Sequence, residues 1–418
     1  MKIQKVRGRE IYDARGWPTV ECEIILEDGI FVSASVPSGL SRGKQEAHEL
    51  RDEDTRIMGK GVTKAIENIE SIIAPELIGQ EPNLVSMDVA MIELDGTSDK
   101  SKLGANAILA TSIAILRAQA AVENMEVYEL VGYLCEYSSV TLPFAMFNCI
   151  SGGAHASNNV RIQEMMVIPI GAQNFRSCLE SAVLLHHYLA QLLEKNFSYV
   201  CISPEGALST NFENDAQALE YLMEAIDFVQ KRTNTRFLIS IDVAASQFYD
   251  KKTHKYDWHG KSVDTDELID LYTRMVKEYP IFSIEDGLSE TDEKGWIAMT
   301  AALKDKTQII GDDFFASSAQ NIANSIEAGS ATGAIIKPNQ VGTLTEAMQA
   351  IKLCREYDMT CVLSHRSCET NDSIIVDLAV GTSAGYIKAG APVRGEHVAK
   401  YNELLRIEDN LMLSLLDS

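Results

Sequence analysis

Ile281-Phe-Ser-Ile-Glu285 is a short apolar run that closes on a carboxylate, and the fold follows from how often that pattern recurs. Phe237-Leu-Ile-Ser-Ile241 runs into Asp242, and Gln308-Ile-Ile-Gly311 into Asp312. Ala334-Ile-Ile336 runs into Lys337, Cys361-Val-Leu-Ser364 into His365, and Gly385-Tyr-Ile387 into Lys388. In chain order the six polar residues follow one another at intervals of 43, 27, 25, 28 and 23. Apolar runs this short read as buried strands. Between them lie helix-start signals: Asp264-x-x-Glu267, Ser317-x-x-Gln320 and Thr343-x-x-Glu346 each have the form of a capping box. A strand, a helix and two short loops take about 25 residues, the repeat of a parallel βα barrel. Residues at the C-terminal ends of barrel strands share one mouth, so the six are expected to face a common pocket.

Taken singly, an Asp after a strand is a turn former or a helix cap, and a Lys there is a solvated loop residue. Six in register point instead to a site. Asp242, Glu285 and Asp312 make an all-oxygen ligand set, the kind that suits a hard cation such as Mg²⁺. No His/Cys cluster at zinc spacing accompanies them. Lys337 and Lys388 are cationic neighbours, and an amine beside a divalent ion and a second cation is expected to shift toward its neutral, proton-accepting form. His365-Arg366-Ser367 offers a planar donor fork and a hydroxyl, suited to a carboxylate or a phosphate. Together these groups suggest removal of a weakly acidic proton next to a carboxylate, with a metal stabilising the charge that develops.

Composition narrows the class. The chain has 418 residues, 46% of them apolar and 23% charged, which excludes disordered and collagen-like chains. Its formal net charge of −23 argues against a nucleic-acid partner, because such a surface repels phosphate backbones. The eight cysteines contain no C-x-x-C pair and read as buried thiols of a reducing compartment. Met1-Lys-Ile-Gln-Lys-Val6 lacks a signal-peptide core, so the cytoplasm is the expected location. Ala105–Val122 is the most apolar stretch, but it carries Asn106, Ser112, Arg117 and Gln119 and reads as a packed helix rather than a membrane span. Upstream, Val20–Leu26 and Phe31–Val36 read as two strands around Asp28-Gly29, followed by helices over Thr63–Glu76, Leu84–Leu94 and Ala105–Asn124. Thr141-Leu-Pro143 interrupts the helical pattern, which places a domain boundary near residues 135–145.

The sequence resembles the enolase family nearly end to end. The resemblance runs from Gly8-Arg-Glu-Ile-Tyr-Asp-Ala-Arg-Gly16 to Leu404-Leu-Arg-Ile-Glu408. Its most specific motifs are Ser283-Ile-Glu-Asp286, Ile336-Lys-Pro-Asn-Gln340 and Ser364-His-Arg-Ser367, supported by Pro37-Ser-Gly-Leu-Ser41, Leu94-Asp-Gly-Thr97 and Ala105-Asn-Ala-Ile-Leu-Ala110. It implies an α/β fold: a smaller N-terminal α+β domain over residues 1–135, then an eight-stranded TIM-type barrel over 136–418 that starts ββαα. It further implies the reversible, Mg²⁺-dependent dehydration of 2-phosphoglycerate to phosphoenolpyruvate, with two Mg²⁺ per site.

Carried over residue by residue, the resemblance makes Asp242, Glu285 and Asp312 ligands of the first metal, and Ser41 of the mobile loop a ligand of the second. Lys337 is then the general base and Glu205 the general acid on the departing hydroxyl. Glu164, beside Gln163, assists near that hydroxyl, and His155 closes over the substrate. His365 belongs to the catalytic set and Gln163 to the substrate-binding set. Arg366 and Ser367 grip the phosphate, and Lys388 faces the substrate carboxylate. A homodimer or higher homo-oligomer is implied, with Arg9 facing Glu396 and Glu21 facing Arg406 across a two-fold axis.

The sequence departs from the family in three places. The GDEGG turn is Ser203-Pro-Glu-Gly-Ala207, Arg42 stands where the mobile loop has threonine, and Cys368 replaces the glycine after SHRS. Two rival readings remain: another acid–base enzyme of the same superfamily, which Arg366 and Ser367 oppose, and a weakly catalytic paralogue with a binding or cell-surface role. Lys251-Lys-Thr-His-Lys255 resembles a lysine-rich segment implicated in plasminogen binding by some enolases, but by itself reads as a solvated hairpin.

Overall fold

The chain is described here from a computed structural model covering residues 1–39, 43, 45–137 and 139–416. It opens with β1 (Ile3–Tyr12), β2 (Pro18–Leu26) and β3 (Phe31–Ser35), an antiparallel meander in that order. Val20, Cys22, Ile24 and Leu26 alternate onto the buried face of β2, the period-2 signal of a half-covered strand. The edge strand β1 buries only Ile3 and Val6. The helical stretch expected over Thr63–Glu76 forms with a wider turn at Ile69–Ile73, just before Pro75, which has no amide to donate.

The apolar helix Ala105–Glu123 is long and apolar enough to cross a membrane by length and composition, yet 83% of that window is buried inside the molecule. It packs on β2 and β3 and on the helices Leu84–Asp95 and Leu344–Glu356. Its one cation, Arg117, forms a bidentate pair with Asp372 at 2.7 and 2.8 Å, on the loop that follows the SHRS motif. Arg117→Leu should therefore cost about 3 kcal/mol in denaturant unfolding, because it leaves a buried carboxylate without its cation. A loss below about 0.5 kcal/mol would show that the pair does not hold the two parts together.

The barrel comprises β4 (Phe144–Ser151), β5 (Glu164–Ile170), β6 (Arg236–Asp242), β7 (Ile281–Glu285), β8 (Gln308–Gly311), β9 (Gly333–Ile336), β10 (Thr360–Ser364) and β11 (Tyr386–Lys388). They pair in sequence order, and β11 closes on β4. All neighbours are parallel except at β5, which runs against both β4 and β6. Two helices, Phe175–Asn196 and Asp215–Thr233, separate β5 from β6, giving the ββαα start.

Alternation along the strands explains both the floor and the mouth. Leu238, Phe282, Ile310, Ile335, Val362 and Tyr386 meet Met146, Met166 and Ile168 in an apolar cluster that plugs the barrel. Counting by twos along the same faces leads from Leu238 through Ser240 to Asp242, from Ile310 to Asp312, from Ile335 to Lys337, and from Tyr386 to Lys388. Because β5 is reversed, its face runs from Ile168 and Met166 to Glu164 at the strand's start, which pairs with Asp242 at the end of β6.

The capping signals mostly hold. Asp264 and Glu267 form a complete box, with bonds of 3.0 and 2.9 Å. Thr343 caps its helix by accepting from the Glu346 amide. At the third signal the cap is Ser318 rather than Ser317. Ser317, at φ +57°, turns instead toward the barrel mouth, where its hydroxyl accepts from the Lys337 amide at 2.8 Å. Lys251–Lys255 forms an exposed hairpin turn, stitched by Asp250 accepting from the Lys252 amide.

Candidate active site

Five of the six strand-end residues, all but Glu285, line one cavity. Eleven of the residues expected in the site line a single cavity: His155, Gln163, Glu164, Glu205, Asp242, Asp312, Lys337, His365, Arg366, Ser367 and Lys388. Glu285 lies against them through Lys388. Ser41, like Arg42, falls outside the described residues.

Lys388 is the hub. Its Nζ lies 2.8 Å from Glu164, 3.1 Å from Asp242 and 2.9 Å from Glu285. Burial pushes its pKa down, but the three carboxylates outweigh burial and hold it well above the usual lysine value. The same partnership works unevenly on the acids. Burial alone would raise Glu164, yet Lys388 and His155 bring it to about 2. Glu285 stays well above the usual carboxylate range through burial and the neighbouring Asp242, and Asp242 is raised through burial and Glu164.

Asp312 is drawn away from that hub. It pairs with the Lys337 ammonium and accepts from Gln340 at 3.5 Å. Asp286, at φ +43°, fixes the turn by accepting from the amides of Asp312 and Asp313 at 2.8 and 2.9 Å. The three carboxylates expected to share one cation therefore stand at adjacent strand ends, two on Lys388 and one on Lys337. Burial lowers the Lys337 pKa, but Asp312 more than compensates and raises it above the usual lysine value.

On the other side of the cavity Glu205 sits at the tip of a small hairpin, Cys201–Ile202 and Leu208–Ser209, hung from β4 at Ile150. Its Oε2 lies 3.0 Å from His365 Nε2, and its Oε1 is 3.8 Å from His155 Nδ1. His155 Nδ1 lies 3.1 Å from Glu164. Burial opposes the ionised form of Glu205, but His365 outweighs it and holds the carboxyl well below its usual range. Among the described residues, Glu205, His365 and His397, and also His155, Glu164 and Glu205, bring potential ligand atoms within 4.8 Å of one another. Sequence spacing gave no sign of either cluster.

Arg366 is held by a residue the sequence did not single out. Glu46 faces its guanidinium at 2.9 and 3.3 Å, and Glu46 also accepts from the Gly43 amide. Ser367 Oγ stands 3.5 Å from His155 Nε2, and Gln163 reaches Asp242 at 3.5 Å.

A closed βα barrel whose mouth gathers buried carboxylates, two lysines, two histidines and an arginine is an enzyme built for proton transfer on an anionic substrate. Comparison with known proteins gives the family. Residues 3–131 match the model of the enolase N-terminal domain, and residues 139–414 that of the enolase C-terminal TIM barrel domain. The curated protein "Enolase" of a Nitratiruptor species is 44% identical over 413 residues, which cover 98% of this chain and 97% of that protein. The chain belongs to the enolase family. It is a phosphopyruvate hydratase, a carbon–oxygen lyase of a family that works with a divalent metal.

Proposed function

We propose that this pocket dehydrates 2-phosphoglycerate to phosphoenolpyruvate with Lys337 as base and Glu205 as acid. The observation that carries this assignment is placement. Lys337 follows β9, and β5, which begins with Glu164, lies four places away in a ring of eight strands. A base on one wall and acids on the other suit removal of a proton and of a hydroxyl from opposite faces of a substrate. With Asp312 committed to a cation, Lys337 would lose the partner that raises its pKa; in its neutral form it takes the C2 proton, the C2–H electron pair becomes the new double bond, and the C3 hydroxyl leaves as water with a proton supplied through Glu205. Glu205 Oε2 lies 3.0 Å from His365 Nε2, so the departing hydroxyl is served by these two side chains together. Arg366 and Ser367 take the phosphate, Gln163 and Lys388 face the substrate, and His155 with Glu164 orders the hydroxyl side.

The residues fit a divalent metal. Asp242 and Glu285 already converge on one cation, the Lys388 ammonium, and their raised pKa values mark a site short of positive charge. Their donors are all oxygen, which favours Mg²⁺. Asp242, Glu285 and Asp312 would hold the first ion and Ser41 would join a second. When bound, the metal supplies electrostatic stabilisation of charge on the substrate carboxylate.

A homodimer follows from the same reading. Within one chain Arg9 pairs with Glu21 and Glu23, Glu396 with Arg394, and Arg406 with Glu403. The partner contacts Arg9–Glu396 and Glu21–Arg406 would join these clusters. Sedimentation as a strict monomer at micromolar concentration would count against this. The activity test is direct. Purified protein with Mg²⁺ and 2-phosphoglycerate should accumulate the enol phosphate, followed by its ultraviolet absorbance. A folded protein that gives none contradicts the assignment.

A further inference from the structure

The turn that carries Glu205 is gripped from outside in an unusual way. Ser203–Ala207 closes on itself through Ser203 N–H to Ala207 O at 2.8 Å and Gly206 N–H to Ser203 O at 2.9 Å. Pro204 has no amide, so the turn cannot add a further bond of its own there. Its three central carbonyls are bonded from three other elements. The Pro204 carbonyl faces His397 Nε2 at 3.2 Å, the Glu205 carbonyl accepts from the Ala391 amide at 2.9 Å, and the Gly206 carbonyl faces His186 Nε2 at 3.1 Å.

His186 lies on the helix Phe175–Asn196 and His397 on the helix Gly395–Leu416; they are 3% and 0% exposed. A carbonyl only accepts, so each ring carries its proton on Nε2. Among the described residues neither Nδ1 has a hydrogen-bond partner, so each is a buried acceptor left unsatisfied. Burial disfavours a charge on either ring, and His397 is brought to about 4. The His397 ring also meets His365 edge-on at 5.1 Å, so it touches both the turn and the imidazole that pairs with Glu205.

We infer that His186 and His397 are positioning residues for Glu205, two buried imidazoles that clamp the carbonyls on either side of it and hold its carboxyl against His365. The clamp satisfies from outside two carbonyls of a turn that has no amide at Pro204. The inference rests on Glu205 being the acid that serves the departing hydroxyl.

The test uses the full-length Mg²⁺-loaded enzyme and three readouts: kcat, KM, and exchange of the substrate C2 hydrogen with solvent. His397→Leu and His186→Leu should lower kcat about 10- to 100-fold, the cost of misplacing a catalytic group by about an ångström. KM should stay within about twofold and C2 exchange should persist, because Lys337 and Arg366 are untouched. His→Gln at either position returns an amide N–H near the place of Nε2 and should restore most of kcat. Leu variants with unchanged kcat, or with exchange and turnover lost together and no rescue by Gln, overturn the inference. If the Leu variants do not fold, Gln is compared with Asn, whose shorter amide misses the carbonyl; equal kcat for the two overturns it as well. Glu205→Gln separates the two levels. If that variant keeps full turnover, the acid assignment itself fails; if it loses turnover while the Leu variants keep theirs, only the clamp fails.

Discussion

Replacing Lys337 by alanine is expected to lower kcat by about 10³-fold or more and to abolish exchange of the substrate C2 hydrogen in the same assay. General-base catalysis alone accounts for about 10²–10⁴-fold. The amine sits at the end of β9 with its amide fixed by Ser317, whose hydroxyl is itself tied to Gln340, so its direction of approach is built into the strand and the turn after it. Among the described residues, alanine removes the only lysine at that wall of the cavity, because Lys388 is committed to Glu164, Asp242 and Glu285. Asp312 loses its ammonium partner in this variant, so a thermal melt belongs beside the kinetics. Glu205→Gln provides the contrast: it should stop net dehydration while C2 exchange continues in part. Exchange surviving in Lys337→Ala at the wild-type rate would remove the lysine from the proton-abstraction step.

What could be seen in the sequence follows from strand direction. β6 to β11 were legible because each runs from apolar floor to polar mouth and so ends on its chemical residue. β5 runs the other way and presents Gln163-Glu164 before Met165-Met-Val-Ile168, so the same rule hides it. β1 left no pattern to find, since an edge strand that buries only Ile3 and Val6 needs few apolar residues. In the site, the residues at the parallel strand ends were readable from register, whereas Glu205 and His155 stood out only through the family motifs. Glu46, His186 and His397 gave no signal of either kind. Glu46 works on Arg366 across 320 residues, and each histidine acts on a carbonyl of a separate segment, a contact that leaves no trace in local composition. Asp286 was visible as an acid beside Glu285, but its part in turning the backbone that carries Asp312 needed coordinates.

Excess chelator should reduce turnover to background, and Mg²⁺ should restore it better than Ca²⁺. The reason is charge. Glu164, Asp242, Glu285 and Asp312 bring four buried carboxyl groups to the mouth, and Lys337 and Lys388 bring two ammonium groups. The imbalance shows in Asp242 and Glu285, whose ionised forms are disfavoured by burial and by a neighbouring carboxylate, Glu164 for Asp242 and Asp242 for Glu285. A substrate that adds a phosphate and a carboxylate, and then a further negative charge once its C2 proton leaves, deepens the deficit at the moment of reaction. Two lysines already matched to carboxylates cannot supply the missing charge, and a divalent cation on oxygen ligands can. Metal that binds only the folded chain also stabilises it, by about 2.7 kcal/mol at 100 times its Kd, so the chelated protein should melt at a lower temperature. Ca²⁺ should recover the melting temperature more fully than the rate, because it accepts six to eight loosely placed oxygens where Mg²⁺ demands a tight octahedron. Full turnover in excess chelator, or equal rates with Ca²⁺ and Mg²⁺, would mean that the lysines alone balance the charge and that the carboxylates at the mouth serve another end.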